Sequence, residues 1–207
     1  MSAKRSGIAF VICAPSGAGK TTLSRRLLDK FPRMVLSVSC TTRLPRPGES
    51  SGRDYEFIDE QEFILRRDSG FFAEWAEVHG QFYGTPLDAT WKLIAGGRDV
   101  LFDIDVQGAS QIRSSLPGAR LIFILPPSLH ELERRLRERG TEKEEDLKIR
   151  MSAAARELSQ AHWFDSWIIN ADLEQAFQDL CATYISATLS PSRRPGFLAK
   201  LLSEWGD

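Results

Sequence analysis

Gly17, Gly19, Lys20 and Thr21 fall close together in the run Ala14-Pro15-Ser16-Gly17-Ala18-Gly19-Lys20-Thr21-Thr22-Leu23, and they are equipped to hold a phosphate group. Glycines without Cβ atoms let the backbone wrap closely around an anion. Successive N–H groups converge on it, and the N-terminus of a following helix adds partial positive charge and unpaired donors. Lys20 suits β- and γ-phosphate oxygens, and the Thr21 hydroxyl suits Mg²⁺. The pattern is Gly-x-x-x-x-Gly-Lys-Ser/Thr, and Ala14 stands here in place of its first glycine. Pro15 follows and biases Ala14 toward extended dihedrals that alanine adopts without strain, so little is lost.

Other residues could act on the same ligand. Asp103 and Asp105 end an apolar run, where one could orient Mg²⁺ or its water shell and the other bind substrate. Asp105 could equally cap the next helix, or do both. Arg43 and Arg46 are three apart in a loop braced by Pro45 and Pro47, with hydroxyls upstream, which suits a dianion. Glu74 sits among Phe72, Ala73, Trp75 and Ala76. It is either the outward residue of an alternating strand, the reading that alternation favours, or a polar reader facing a pocket. Arg134, Arg135, Arg137, Arg139, Arg150 and Arg156 form a charge run that by itself reads as a solvated helix pair laced by ion pairs. After a phosphate loop it also reads as a mobile basic lid.

These residues need a frame. Residues 8–13 form an apolar run before the loop, and Leu23, Leu27, Leu28 and Phe31 give the helical spacing after it. Met34, Val35, Leu36 and Val38 read as a short strand, and residues 39–55 as a loop. Asp59 is placed to cap a helix running to residue 67. Residues 71–78 and 81–83 read as a hairpin turning at His79 and Gly80, and Gly84-Thr85-Pro86 leads into a helix over 87–95. Residues 100–105 and 121–125 read as buried strands, with a helix from 106 between them. Ser128 with Glu131, and Thr141 with Glu144, are capping boxes that open the two arginine-bearing helices, the first ending at Gly140. Residues 167–170 form a last strand and 173–185 a last helix.

Strands alternating with helices imply an α/β fold, a parallel sheet flanked by helices. The expected division is a core of 1–34, 88–134 and 157–190, an inserted mixed α/β lobe of 35–87, a helical lid of 135–156 and a tail of 191–207. In the tail, Phe197, Leu198, Leu201, Leu202 and Trp205 have helical spacing, favouring a short helix packed on the core over a subunit contact.

The chain has 207 residues and a net charge of −1, enough for a sizeable core and no general argument for nucleic acid or a membrane surface. Its three cysteines are far apart and its three histidines dispersed, which predicts a reduced intracellular chain with no metal cluster. No stretch has the length and flanks of a signal peptide or a membrane span.

Taken together, these stretches resemble the guanylate kinase family from residue 8 to about 187. The resemblance rests on residues 15–23, Ser37-Val38-Ser39-Cys40-Thr41-Thr42-Arg43, Arg46-Pro47-Gly48-Glu49, Gly52-Arg53-Asp54-Tyr55, Glu74-Trp75-Ala76, Tyr83-Gly84-Thr85, Asp103-Ile104-Asp105-Val106-Gln107-Gly108 and Arg139-Gly140-Thr141-Glu142. It implies a cytoplasmic enzyme that phosphorylates GMP, and dGMP as a further acceptor, with ATP and Mg²⁺. It implies ATP binding by Ala14, Pro15, Ser16, Gly17, Ala18, Gly19, Lys20, Thr21 and Thr22, with Asn170 near the adenine. Ser39, Arg43, Arg46, Tyr55 and Tyr83 match ligands of the GMP phosphate. Glu74, Thr85 and Asp103 match guanine readers, and Glu49 and Gly84 lie in stretches placed with the same site. Arg135, Arg139 and Arg150 match lid arginines that act with Lys20 on the transferring phosphates. Thr21 is expected on Mg²⁺ directly and Asp105 through water.

Guanine chemistry fits these roles. N1–H and the 2-amino group are neighbouring donors, and an ionised Glu74 accepts from both. Adenine has an acceptor at N1 and no 2-amino group, and such a mismatch can reach roughly 10⁴-fold in discrimination. The resemblance therefore moves Glu74 to the pocket-facing reading. The rival is a non-catalytic phosphopeptide-binding module of the same fold. Such modules typically lose the phosphate loop, whereas Gly17, Gly19, Lys20 and Thr21 are all present here.

Overall fold

The computed structural model describes residues 5–78, 80–139 and 144–205, residue 139 by its backbone alone. His79 at the expected hairpin turn, the Arg139 side chain, Gly140 and the Thr141 cap lie outside the described residues.

The elements in order are β1 (Ala9–Cys13), α1 (Lys20–Lys30), β2 (Met34–Leu36), β3 (Cys40–Thr41), β4 (Glu56–Phe57), α2 (Glu60–Asp68), β5 (Phe72–Val78), β6 (Gln81–Pro86) and α3 (Leu87–Ala95). They continue with β7 (Asp99–Asp103), α4 (Val106–Ser115), β8 (Arg120–Leu125), α5 (Leu129–Arg139), α6 (Glu144–Ser159), β9 (Ser166–Ile169), α7 (Leu173–Thr188) and α8 (Phe197–Ser203). A five-stranded parallel sheet runs β2-β7-β1-β8-β9. A four-stranded mixed sheet runs β4-β3-β6-β5. The fold is α/β, as expected. Residues 35 and 36, expected in the lobe, pair with β7 in the parallel sheet.

The apolar runs follow from double-sided burial. Along central β1, Phe10 and Ile12 pack with Leu23, Leu27, Phe177 and Leu180 on one face. Ala9, Val11 and Cys13 pack with Ile94, Ala109, Ile112 and Phe164 on the other. All five β1 residues are buried. In a parallel sheet the central strand ends between its neighbours' C-terminal ends, so the loop after Cys13 is held beside Asp103 at the end of β7.

The lobe has its own small core. Phe63 stacks on Phe72 at 4.6 Å and on Phe82 at 5.2 Å between ring centroids. Gly84 allows this: a Cβ there would lie 2.9 Å from Phe72 Cγ and 3.1 Å from Phe63 Cζ. Gly84-Thr85-Pro86 leads into α3 as expected, with Pro86 at its N-cap, and it also extends β6 past the expected end at Tyr83, so that β6 pairs along its whole length with β5. Asp59 caps α2 as expected, accepting from the Glu62 N–H at 2.8 Å.

Two expectations change. The Ser128–Glu131 box is half made: the Glu131 N–H donates to Ser128 Oγ at 3.1 Å, but its carboxylate turns to Arg134 and Arg135. Three charge-assisted bonds outcompete one backbone N–H. The tail forms α8, but it does not pack on the core. Phe197, Leu198, Leu201, Leu202 and Trp205 are all exposed, Trp205 at 84%. No helix among the described residues is long and apolar enough to cross a membrane.

Candidate functional site

The turn after β1 has the conformation its glycines permit. Gly17 and Gly19 have φ of 91° and 97°, the left-handed region, and Gly19 is the N-cap of α1. No side chain caps α1, so its first N–H groups remain directed into the turn. A Cβ on Gly19 would lie 2.3 Å from Asn170 Nδ2. That amide donates to the Ala18 carbonyl oxygen at 2.8 Å, fixing the turn from the end of β9. Ala14 packs against the core behind the turn, where its methyl group finds a place.

Three clefts open along this turn. A cleft of about 300 Å³ is lined by Ala14, Pro15, Ser16, Gly17, Gly19, Lys20, Thr21, Asp105 and Glu157. A second, of about 360 Å³, shares Gly17 and Gly19 and adds Thr22, Arg135 and Asn170 among others. A third, of about 380 Å³, shares Lys20 and Asp105 and reaches into the lobe past Ser39, Arg43, Arg46, Tyr55, Glu74, Tyr83 and Asp103. The phosphate loop thus joins a cleft beside α7 to a cleft in the lobe.

The lobe cleft has two chemically distinct ends. At one, Arg43 is braced by Glu49, its Nη1 and Nη2 each donating to a carboxylate oxygen at 3.0 Å. Glu49 also accepts from the Arg46 N–H at 2.8 Å. These bonds hold the Glu49 carboxyl below its usual range, the Arg43 bond first. Glu49 thus shapes the arginine loop from behind. Tyr55 and Tyr83 stand edge to face at 6.0 Å, with Arg43 over the Tyr55 ring at 5.3 Å.

At the other end Glu74 is 4% exposed. Thr85 Oγ1 donates to Glu74 Oε1 at 2.5 Å, and Ser39 Oγ lies 3.0 Å from Thr85 Oγ1. Thr85 has one hydroxyl hydrogen and gives it to Glu74, so Ser39 donates to Thr85. Burial pushes the Glu74 carboxyl up to about 7, against the Thr85 bond, with Asp105 adding a smaller upward push. The outward reading of Glu74, which strict alternation favours, is wrong. A register shift between Phe72 and Glu74 breaks the alternation, and Phe72, Ala73 and Glu74 are buried in succession.

Asp105 caps α4, its Oδ1 accepting from the Gly108 N–H at 2.8 Å, so the capping reading holds, and it also lines two clefts. Among the arginines, Arg134 and Arg137 pair with Glu131, Glu133, Glu138 and Glu144 along the exposed helix faces. Arg135 turns inward to the Asn170 carbonyl oxygen at 3.1 Å, and Arg150 donates to Ser16 Oγ at 2.7 Å. Gly84 points its side-chain direction into the lobe core, away from the cleft.

Glu157 escaped the sequence reading. It lines the loop cleft and is half-buried, and burial raises its carboxyl, opposed by nearby Lys20. The available signal was its spacing: seven residues past Arg150 on α6 is two helical turns, hence the same face. No group of three or more acidic, histidine or cysteine residues able to hold a metal occurs among the described residues. The three cysteines are unpaired and buried.

Comparison with known proteins gives one answer. The family model for guanylate kinase matches residues 6–187. A guanylate kinase of Oleidesulfovibrio alaskensis is 63% identical over 201 residues, covering 97% of this chain and 98% of that one. One from Nitratidesulfovibrio vulgaris is 60% identical over 207 residues, covering all of both chains. The crystal structure of guanylate kinase from Anaplasma phagocytophilum superposes with a TM-score of 0.76 at 32% identity, covering 98% of this chain and 97% of that one. A phosphate loop joined to a carboxylate-and-arginine lobe, on a chain alike from end to end, places this protein in the guanylate kinase family.

Proposed function

We propose that this protein transfers the γ-phosphoryl group of ATP to GMP, giving ADP and GDP. An oxygen of the GMP phosphate attacks the γ-phosphorus, and the bond to the β–γ bridging oxygen breaks. The observation that carries this reading is that Lys20 and Asp105 line both the loop cleft and the lobe cleft. A donor held by the loop and an acceptor held by the lobe would meet at Lys20.

The loop N–H groups, Lys20 and Thr21 bind the ATP phosphates, and the cleft beside Asn170 and Arg135 takes the adenosine. Ser39, Arg43, Arg46, Tyr55 and Tyr83 bind the GMP phosphate. Glu74 accepts from guanine N1–H and the 2-amino group, with Thr85 and Asp103 beside it. Lys20, Arg135, Arg139 and Arg150 neutralise charge on the phosphoryl group in transit, the main demand of such a reaction. No general base is assigned. Closure of lid and lobe would exclude water and limit wasteful ATP hydrolysis.

The residues fit Mg²⁺. Thr21 and Asp105 offer hard oxygen donors in one cleft, which suits an ion that binds through few protein groups plus substrate phosphates. Thr21 would hold it directly and Asp105 through water, and it would supply charge neutralisation on the phosphate oxygens. The use of free nucleotides as substrates supports a cytoplasmic site of action.

The test is ADP release from MgATP with GMP, dGMP, AMP or UMP in turn. Turnover confined to GMP and dGMP is expected. Turnover with another acceptor would reject the guanine pocket. GMP binding without any turnover would favour the phosphopeptide-binding module.

A further inference from the structure

Beside Glu74 lies a contact that neither the phosphate loop nor the nucleotide clefts account for. β5 is the edge strand of the lobe sheet, hydrogen-bonded to β6 on one side only. On its open side, Gln111 of α4 behaves as a substitute strand. Gln111 Oε1 accepts from the Trp75 N–H at 3.0 Å, and Gln111 Nε2 donates to the Trp75 carbonyl oxygen at 2.8 Å. One turn further along α4, Ser115 Oγ donates to the Ala73 carbonyl oxygen at 2.7 Å. The spacings match: four helical residues advance about 6 Å and two strand residues about 6.7 Å.

Glu74 is the residue between these two anchors, and the register shift of β5 falls just before it, between Phe72 and Glu74, at the anchored Ala73. A bulged strand loses its ladder locally and needs outside bonds to fix its direction. One turn before Gln111, a Cβ on Gly108 would lie 3.2 Å from Glu74 Oε2, so α4 approaches the carboxylate itself. The Gly108 N–H is held by Asp105 at the cap of α4. One face of α4 therefore runs from the phosphate-loop cleft to the backbone on both sides of Glu74.

We infer that Gln111, with Ser115, is a positioning residue for guanine recognition, clamping residues 73–75 so that the Glu74 carboxylate faces the lobe cleft at a fixed height. This inference rests on the reading of Glu74 as a guanine reader. Gln111 lines none of the three clefts and acts only through Glu74.

The experiment compares GMP with IMP, which keeps N1–H but lacks the 2-amino group. Gln111→Met preserves length and removes both hydrogen bonds. It should raise KM for GMP about 10-fold and narrow the GMP-over-IMP preference by a similar factor, with kcat and KM for ATP within about twofold. Ser115→Ala, a lighter change that preserves the helix, should shift both readouts in the same direction by about threefold. In a Glu74→Gln background, Gln111→Met should add less than about twofold, because the group it positions is altered. Unchanged GMP and IMP parameters in both α4 variants would overturn the inference, as would equal effects with and without Glu74. A Glu74→Gln variant with undiminished GMP preference would overturn the guanine reading itself. A narrowed preference in Glu74→Gln but not in the α4 variants would overturn only the positioning role.

Discussion

Lys20 Nζ lies 2.5 Å from Asp103 Oδ1 and donates to the Ile104 carbonyl oxygen at 3.2 Å, tying the first turn of α1 to the end of β7 where the loop and lobe clefts meet. The ammonium group is thus held by an acid from the acceptor side while its stem rises from the phosphate loop. Both side chains are about a quarter exposed, so the pair adds about 1 kcal/mol or less to stability. Its importance lies in placement. Lys20→Ala should lower kcat by about 10²–10³-fold, the scale of losing one preorganised donor to a developing charge. GMP affinity should hold within a few-fold, and Tm should fall by only a few degrees. Steady-state turnover, GMP titration and a melting curve check all three. Turnover near that of the parent would remove Lys20 from the chemistry.

Glu74 sets a pH dependence. In the proposed guanine-reading role its carboxyl, pushed up to about 7 by burial, must be ionised to accept from both donors. kcat/KM for GMP should therefore fall about tenfold for each pH unit below 7. The GMP phosphate also titrates near pH 6. The comparison is with Glu74→Gln, whose profile keeps the phosphate contribution and loses that of the carboxyl. The same variant should lose GMP activity and narrow the gap to AMP.

The same group makes a stability prediction of opposite sense. Between the ordinary carboxyl range, about 4.5, and 7, folded Glu74 keeps a proton that the unfolded chain has released. Stability therefore falls as pH rises through that window. The shift corresponds to an upper value of about 3 kcal/mol above pH 7. Glu74→Gln should raise Tm at pH 8 and change it little at pH 4.5. A variant less stable than its parent at pH 8 would mean that Thr85 and Ser39 hold the carboxylate better than burial penalises it.

Gly19 is constrained twice, by its φ of 97° and by Asn170 Nδ2, 2.3 Å from where a Cβ would stand. Gly19→Ala should displace the Asn170 amide from the Ala18 carbonyl oxygen and distort the anion turn. We expect ATP affinity to fall about 10²-fold or more, with GMP affinity retained, because Gly19 lines no part of the lobe cleft. Gly48→Ala, at a φ of 90° with nothing within 4 Å, bears a strained backbone without the clash and leaves the ATP site untouched. Titration with ATP and with GMP separates the two variants.

Legibility followed the range of the contacts. β1, β7 and β8 were readable because burial on both faces writes a continuous apolar run into the sequence. The turn after β1 was readable because its left-handed glycines and the start of α1 are consecutive in the sequence. The lobe was harder: β3 and β4 have two residues each, too few for any periodicity. Residue chemistry alone could not turn Glu74 inward, because a single bulge reverses the alternation, and only the resemblance pointed to the pocket. Gln111 carries no local signal, since its partner backbone is 36 residues away. Helical spacing in the tail foretold α8 but not where its apolar face would lie.

The tail separates anchoring from exposure. Arg193 joins it to the body: its carbonyl oxygen accepts from the Ser6 N–H at 2.9 Å, its Nη1 donates to the Gly7 carbonyl oxygen at 3.0 Å, and its Nη2 reaches the Gly118 carbonyl oxygen. Residues 197–205 bury none of their apolar side chains fully. Removing residues 197–207 should therefore leave Tm within about 1 °C and GMP turnover unchanged. Arg193→Ala leaves two backbone carbonyls without their donor and should cost about 1–3 kcal/mol, a drop of several degrees. Melting and gel filtration of both variants decide between the two uses of the tail. A truncated chain that melts well below its parent and changes its elution volume would show that α8 covers a subunit contact rather than facing solvent.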